Sequence, residues 1–460
     1  MTTDIIYKVT NPATGEIEKT FTTASQADVK NTLQQANKAY KAWKNTPIDE
    51  RRQILHRIAD KYLEQIDELA AIVTREMGKP ITQAKGELSF VAEIFRYYAD
   101  KGPELLRPDT IDVDKGKARV EKHPIGVLLG IMPWNYPHYQ VARFVAPNIM
   151  AGNTIILKHA PQCPETADAI QTLFAEAGLP SGVYNNIFAT NDQAADIIRD
   201  PRVQGVSLTG SEKAGQAVAQ IASSALKKVV LELGGSDPFI VLDDADLDKA
   251  VKHAIDGRFG NAGQACNAAK RIIVLDAIYD SFVEKFTKKV KQMTPQDPMQ
   301  KDTKMGPLSS IEAAKNLQKQ LNGAVNAGAT VLVEGGYQDS QPGAWFKPTV
   351  LTGVTSDMPV YQQELFGPVA VIYKVATVEE AIRLANDVPF GLGAAVHTTS
   401  EALANKIANE LEVGMVTINA PSGSEANTPF GGVKRSGFGR ELGKLGITEF
   451  LNYKLVRDKS

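Results

Sequence analysis

Two of the 460 residues are cysteines, Cys163 and Cys266, and the second stands in a setting suited to chemistry. The stretch Gly257-Arg-Phe-Gly-Asn-Ala-Gly-Gln-Ala-Cys266 surrounds it with small and amide side chains, whereas structural cysteines usually pack within apolar runs. Gly260, Ala262, Gly263 and Ala265 are expected to leave room for the backbone to approach a substrate. A free thiol ionises near about pH 8.5, so a nucleophile here needs help from elsewhere in the fold. Taken alone, the window suits a nucleophile and a buried bystander equally. Other distinctive polar residues each follow a short apolar run: Trp134 and Asn135 in Pro133-Trp-Asn-Tyr-Pro137, Lys158 in Lys158-His-Ala-Pro161, Gly210 and Ser211 after Thr209, and Glu232 before Leu233-Gly-Gly235. Glu232 is flanked by Val229-Val-Leu231 and Leu233, and partial desolvation raises a carboxyl toward the pKa range of a useful base.

The apolar runs themselves, at 127–131, 154–157, 184–188, 206–208 and 229–231, read as strands, with helices over 165–176 and 214–226 between them. That alternation predicts a parallel sheet covered on both faces, with ligands at the carboxyl ends of its strands. A second alternating series runs from Gly234-Gly235 to about residue 419, which places a domain boundary near 234. The chain opens on the turn-rich Asn11-Pro-Ala-Thr-Gly-Glu16. Apolar stripes at helical spacing follow over 29–43 and 54–69, the second stopped by Gly78 and Pro80; both are core faces. Residues 106–123 are strand-like and suit a protruding hairpin at an oligomer edge. No Gly-x-Gly-x-x-Gly follows a predicted strand. Gly210-Ser211 either offers N–H groups and a hydroxyl to a pyrophosphate or forms a turn and helix cap.

Lys plus Arg number 51 and Asp plus Glu 53, a net charge of −2, which gives no general attraction to nucleic acid or an anionic membrane. Two cysteines make no disulfide framework, the amino terminus lacks the regions of a signal peptide, and no apolar run nears the roughly 20 residues of a spanning helix. A cytoplasmic protein is expected. The six histidines lack liganding partners at recognisable spacing, so no metal site is expected.

Seven motifs together carry a resemblance: Pro133-Trp-Asn-Tyr-Pro137, Lys158, Thr209-Gly-Ser211, Leu231-Glu-Leu-Gly-Gly235, Asn261-Ala-Gly-Gln-Ala-Cys266, Glu364-Leu-Phe-Gly-Pro368 and Pro429-Phe-Gly-Gly-Val433. In content, order and spacing the set resembles the aldehyde dehydrogenase superfamily over nearly the whole chain. Lys158-His-Ala-Pro161 and the run from Leu231 to Leu242 resemble its bacterial succinate-semialdehyde dehydrogenases. The resemblance implies an α/β fold of three parts. These are a Rossmann-like NAD(P)-binding domain (1–105 and 124–233), a catalytic domain (234–430), and a small β bridging and oligomerisation element (106–123 and 431–460). A dimer or tetramer follows from the family.

It further implies that Cys266 attacks an aldehyde, that Asn135 and the Cys266 N–H hold the oxyanion, and that Glu232 activates the water that hydrolyses the resulting thioester. Trp134, Lys158, Gly210 and Ser211 resemble the family's adenosine and pyrophosphate contacts, Glu364 its nicotinamide-ribose ligand, Phe366 the ring beside the nicotinamide, and Leu233 a backbone contact near the carboxamide. Pro161 stands where NAD-specific members carry Glu; it neither holds ribose hydroxyls nor excludes a 2′-phosphate, so NAD or NADP is expected.

Arg143, two turns into the helix after Asn135, resembles the arginine that meets the far carboxylate of a semialdehyde, with a structural ion pair as the alternative. A second family arginine is absent, since Gly260 takes its place, and Ser424 is expected to add a hydroxyl. Succinate semialdehyde is thus the expected substrate, with glutarate semialdehyde and unsubstituted aldehydes as alternatives. Transfer of the acyl group to coenzyme A would need no base at Glu232, and a catalytically silent relative would not need Cys266, Glu232 and Asn135 together.

Overall fold

The computed structural model describes residues 7–459, whose strands fall chiefly into sheets of six and seven strands. The apolar runs of the first series become Val127–Met132, Thr154–His159, Tyr184–Asn186, Val203–Thr209 and Lys228–Glu232, all parallel. Thr154–His159 is buried at every position, as expected of a strand with helices over both faces. The helix Tyr139–Ala151 is likewise buried throughout, because it runs between this sheet and the long helix Ile81–Leu105.

The second sheet begins at Asp237, just beyond the glycine pair at 234–235. Its order is Thr330–Val333, Thr349–Thr352, Val369–Val375, Ala269–Leu275, Asp237–Val241, Gly393–His397 and Met415–Ile418, with only the first strand antiparallel to its neighbour.

Three local features differ from the sequence reading. The stripe at 54–69 is two helices, Ile48–Glu64 and Ile66–Met77, joined at Gln65; the same apolar face runs on through the break, so periodicity alone hides it. The turn-rich start is a hairpin, Tyr7–Thr10 with Ile17–Phe21, anchored where the Tyr7 hydroxyl donates to the Ala189 carbonyl at 2.7 Å.

The block 431–460 is not one element. Leu451–Asp458 joins Lys117–Pro124 and Asp109–Ile111 in a three-stranded arm. Before that, Val433–Lys434 pairs with Phe390–Gly391, and Gly437–Phe438 pairs with Lys228–Glu232 at the edge of the first sheet. Short two-residue strands carry no periodic signal, so the sequence could not assign them.

Candidate active site

The first sheet lays Val127–Met132, Thr154–His159 and Tyr184–Asn186 side by side, then crosses to add Val203–Thr209 on the other side of Val127–Met132. This reversal splays the following loops and leaves a crevice at the carboxyl ends of the strands. A cavity of about 290 Å3 opens there, lined by Trp134, Asn135, Gly210, Ser211, Leu233, Glu364, Phe366 and Cys266 among others. Trp134 and Phe366 meet edge to face at 5.7 Å between centroids, making an aromatic corner. Ser211 is the N-cap of Glu212–Ser224, its hydroxyl accepting the Ala214 N–H at 3.3 Å, and it lines the cavity as well. The two readings of Gly210-Ser211 are therefore compatible.

Lys158 and Pro161 do not line this cavity. Lys158 is 5% exposed, has no carboxylate in ion-pairing range among the described residues, and is pulled down to about 8 by burial. Pro161 turns its carbonyl to the Lys8 N–H (3.1 Å) and lines a separate groove with Lys8, Gln162 and Ser310.

Cys266 lies just before Ala269–Leu275, at the amino end of a strand of the second sheet, and faces the carboxyl ends of the first. Its loop is held in an uncommon shape: Asn261, Ala262 and Gly263 have φ of 51°, 53° and 75°. A side chain at Gly263 would come within 2.5 Å of the Gly367 carbonyl, so this glycine serves close packing rather than substrate access; Gly260 does face open space. Arg258, fully buried, ties the Gly263, Leu365 and Gly367 carbonyls together and takes no part in the cavity.

Asn135 Nδ2 donates to the Gln264 carbonyl at 3.1 Å, and Asn261 Nδ2 donates to the Asn135 carbonyl at 3.0 Å. These bonds fix the Asn135 amide in the cavity that Cys266 also lines. Burial pushes the Cys266 thiol up to about 11, against the opposing pull of Arg143 and then Lys270. Lys270 is a residue that sequence reasoning passed over. Its ammonium donates to the Ala265 and Cys266 carbonyls and pairs with Glu364 at 3.1 Å. A lysine opening a strand carries no signal of such a role. Glu364 also accepts the Gly235 N–H at 3.1 Å, and a side chain at Gly234 would strike its carboxylate.

On the other side of Cys266 lies a second cavity, about 230 Å3, lined by Phe90, Tyr136, Tyr139, Gln140, Ser422, Ser424 and Phe430 among others. Gln140 and Cys266 are common to both cavities. The Tyr139 hydroxyl donates to Ser424 Oγ at 3.0 Å. Glu87, paired with the buried Lys79, accepts the His138 and Tyr139 N–H groups at 2.9 and 3.0 Å and so caps the helix that carries Tyr139.

Arg143 does not line either cavity. It is completely buried, and its guanidinium pairs with Glu441 while donating to Thr209 Oγ1 (3.1 Å) and the Tyr139 hydroxyl (3.4 Å). Burial works against its charge, but Glu441 leads a set of neighbours that more than offsets this and holds its pKa above the ordinary value. The expectation of a free carboxylate clamp is corrected accordingly: Arg143 forms the structural ion pair that was the alternative, with Glu441 as its partner, and its one hydrogen bond to a residue lining the second cavity is the one to the Tyr139 hydroxyl.

Glu232 ends its strand as expected, but its carboxyl lies in a niche that Gly431 leaves open, 2.6 Å from where a Gly431 side chain would begin. Neither oxygen has a hydrogen-bond partner, and burial raises its pKa well above the usual range, with Arg143 opposing. It lines neither cavity in this arrangement. Among the described residues no group of three or more His, Cys, Asp or Glu is placed to hold a metal ion, and no helix is long and apolar enough to cross a membrane.

Residues 2–456 match the model of the aldehyde dehydrogenase family. A succinate-semialdehyde dehydrogenase [NADP(+)] of Deinococcus radiodurans is 51% identical over 98% of this chain and 94% of its own length. A succinate semialdehyde dehydrogenase [NAD(P)+] of Escherichia coli is 43% identical over 97% of this chain and 96% of its own. Among solved structures, the succinic semialdehyde dehydrogenase of Streptococcus pyogenes in complex with NADP+ superposes with a TM-score of 0.97 at 42% identity, covering 99% of this chain and 100% of that one.

Proposed function

From the chain's membership of the aldehyde dehydrogenase family, which makes it an NAD(P)-dependent oxidoreductase, we propose that it oxidises succinate semialdehyde to succinate through a thioester on Cys266. The observation that carries this reading is the place of Cys266 between two cavities of different character: one walled by Trp134, Phe366 and glycines, the other by tyrosine and serine hydroxyls.

The residues present fit a nicotinamide cofactor. The aromatic corner suits a flat ring, Glu364 an adjoining ribose, and the Gly210-Ser211 helix start a pyrophosphate. Lys158, a buried cation without a carboxylate, suits a ribose phosphate, and no carboxylate at Pro161 opposes one. Both NADP and NAD are therefore accommodated.

The Cys266 thiolate adds to the aldehyde carbon, and the adduct's oxyanion is met by Asn135 Nδ2 and the Cys266 N–H, each such donor typically contributing about 3 kcal/mol. Bound nicotinamide supplies the hydride acceptor that turns the adduct into a thioester. Glu232, rotating from its niche toward Cys266 and ionised there, then takes the proton of the hydrolysing water. A chain that passed its acyl group to coenzyme A would have no use for such a base.

The substrate's far carboxylate is met by the Tyr139 and Ser424 hydroxyls, with Arg143 behind Tyr139 supplying the positive field. The arm adds self-association to the proposal. Among the described residues its strand Leu451–Asp458 pairs with a strand on one side, with Tyr453 and Leu455 exposed by 48% and 56%, which suits a dimer or tetramer. A panel of aldehydes with NAD and NADP, read at the absorbance of the reduced nicotinamide, tests the activity. Preference for butyraldehyde over succinate semialdehyde would refute the substrate, and acyl-CoA rather than free acid as product would refute the hydrolytic step.

A further inference from the structure

Lys270 stands four residues beyond Cys266 and is 1% exposed. An ammonium has three N–H bonds. Here three acceptors surround it: the Ala265 carbonyl at 2.8 Å, the Cys266 carbonyl at 2.7 Å and Glu364 Oε1 at 3.1 Å. Replacing such a buried ion pair with apolar side chains is often neutral or stabilising, so stability alone does not account for a charge at this place.

The two carbonyls bracket the residue that bears the thiol. A trans peptide points its C=O and its N–H to opposite sides. With the Ala265 carbonyl held on the ammonium, the Cys266 N–H must point away from Lys270. That N–H has no backbone acceptor among the described residues, which leaves it free for the oxyanion. The other ionisable groups facing the thiol are Arg143 and Tyr139 from the helix Tyr139–Ala151, Tyr136 from the loop before it, Glu364 from the loop before Val369–Val375, and Asp237 from the neighbouring strand. Of the two cations, Arg143 is spoken for by Glu441, whereas Lys270 is bonded directly to the nucleophile's own backbone.

We propose that Lys270 is a positioning residue for Cys266: it fixes the peptide that presents the oxyanion-binding N–H, and it sets a positive charge behind the thiolate, with Glu364 as the ammonium's anchor. The role rests on the thioester mechanism above for its effect on turnover, but its effect on the thiol is independent of any aldehyde.

The test is made on the full chain carrying Cys163→Ala, so that Cys266 is the sole thiol. Lys270→Met is compared with this parent in two ways: the rate of iodoacetamide alkylation across pH without cofactor or aldehyde, and the burst of reduced cofactor on mixing with succinate semialdehyde. Loss of the cation should displace the alkylation profile upward by about half a pH unit or more. Loss of the anchored peptide should reduce the burst rate by roughly tenfold or more. A Lys270→Met protein that binds NADP normally and alkylates on the parent's profile overturns the proposal. Should Lys270→Met not fold, Lys270→Arg and Lys270→Gln carry the same comparison. A parent-like profile for Arg with a higher one for Gln supports the role, and coincident profiles overturn it. A parent that oxidises no aldehyde would refute the proposed function while leaving the alkylation comparison to judge Lys270.

Discussion

Tyr139→Phe should separate recognition of the substrate's carboxylate from everything else the site does. The phenol is the one group of the second cavity that both donates to Ser424 and accepts from Arg143, at 3.0 and 3.4 Å. Removing its oxygen deletes the one phenol proton, which would turn from Ser424 to the bound carboxylate, and removes the hydrogen bond that links Arg143 to this cavity. A hydrogen bond to a charged group contributes about 1.5–3 kcal/mol, so kcat/KM for succinate semialdehyde should fall roughly 10- to 150-fold. Butyraldehyde has the same chain length without the carboxylate and should lose less than about threefold by the same reasoning. The ring itself stays, keeping its tilted contact with Phe90, so packing is little disturbed. Steady-state kinetics on both aldehydes, with a melting curve as control, make the comparison. Equal losses on the two substrates, or none on either, would refute the assignment of Tyr139 and with it the route from Arg143 to the substrate. Arg143→Leu would be a poorer probe, because stranding the buried Glu441 costs about 3–5 kcal/mol of stability on its own.

Cys266→Ala should abolish oxidation while NADP binding, followed by fluorescence, stays near that of the parent; retained activity would remove the thioester mechanism. Cys163, whose thiol burial holds well above its usual pKa, should by contrast react only after unfolding in a thiol titration. Glu232→Gln should preserve the burst of reduced cofactor and slow the steady phase, since an amide cannot take the water's proton; stopped-flow traces in which both phases fall together would place Glu232 earlier in the reaction. Lys158 should make cofactor choice depend on pH. Burial lowers its pKa to about 8, so its ammonium is present below that value and lost as pH rises through it. The preference for NADP over NAD, measured as a ratio of Kd values, should therefore decline between about pH 7 and 9, and a constant ratio would separate Lys158 from the phosphate.

Much of the first cavity was legible in the sequence because it follows a topological rule. Trp134, Asn135, Gly210, Ser211 and Leu233 fall just after strands, and a parallel sheet brings such loops to one edge. Cys266 obeys no such rule, since it precedes its strand; only its sparse setting and the resemblance singled it out. Arg143 was placed on the right helix, but a sequence pattern does not show which acid waits for it, and Glu441 is nearly 300 positions away along the chain. Lys270 and Tyr139 were invisible for the opposite reason: a strand-opening lysine and a helix tyrosine look ordinary until their partners converge. The split at Gln65 and the two-residue strands near 433–438 lie below the length at which hydrophobic period has meaning.

The pairing of Gly437–Phe438 with Lys228–Glu232 also bears on how the molecule is made. On the ribosome, the strand that ends in Glu232 is finished long before residue 437 emerges, and until then it is a bare sheet edge open to foreign strands. Gly437 fits there because any side chain would overlap the Leu231 carbonyl. The first sheet should therefore not survive as a self-sufficient piece when the chain is cut at the glycine pair. Such a fragment should aggregate, and a nascent chain stalled before residue 437 should be held by chaperones and cleaved readily near 228–232. On this reasoning, closure of the first sheet should wait for the returning strand, and hence for completion of the second.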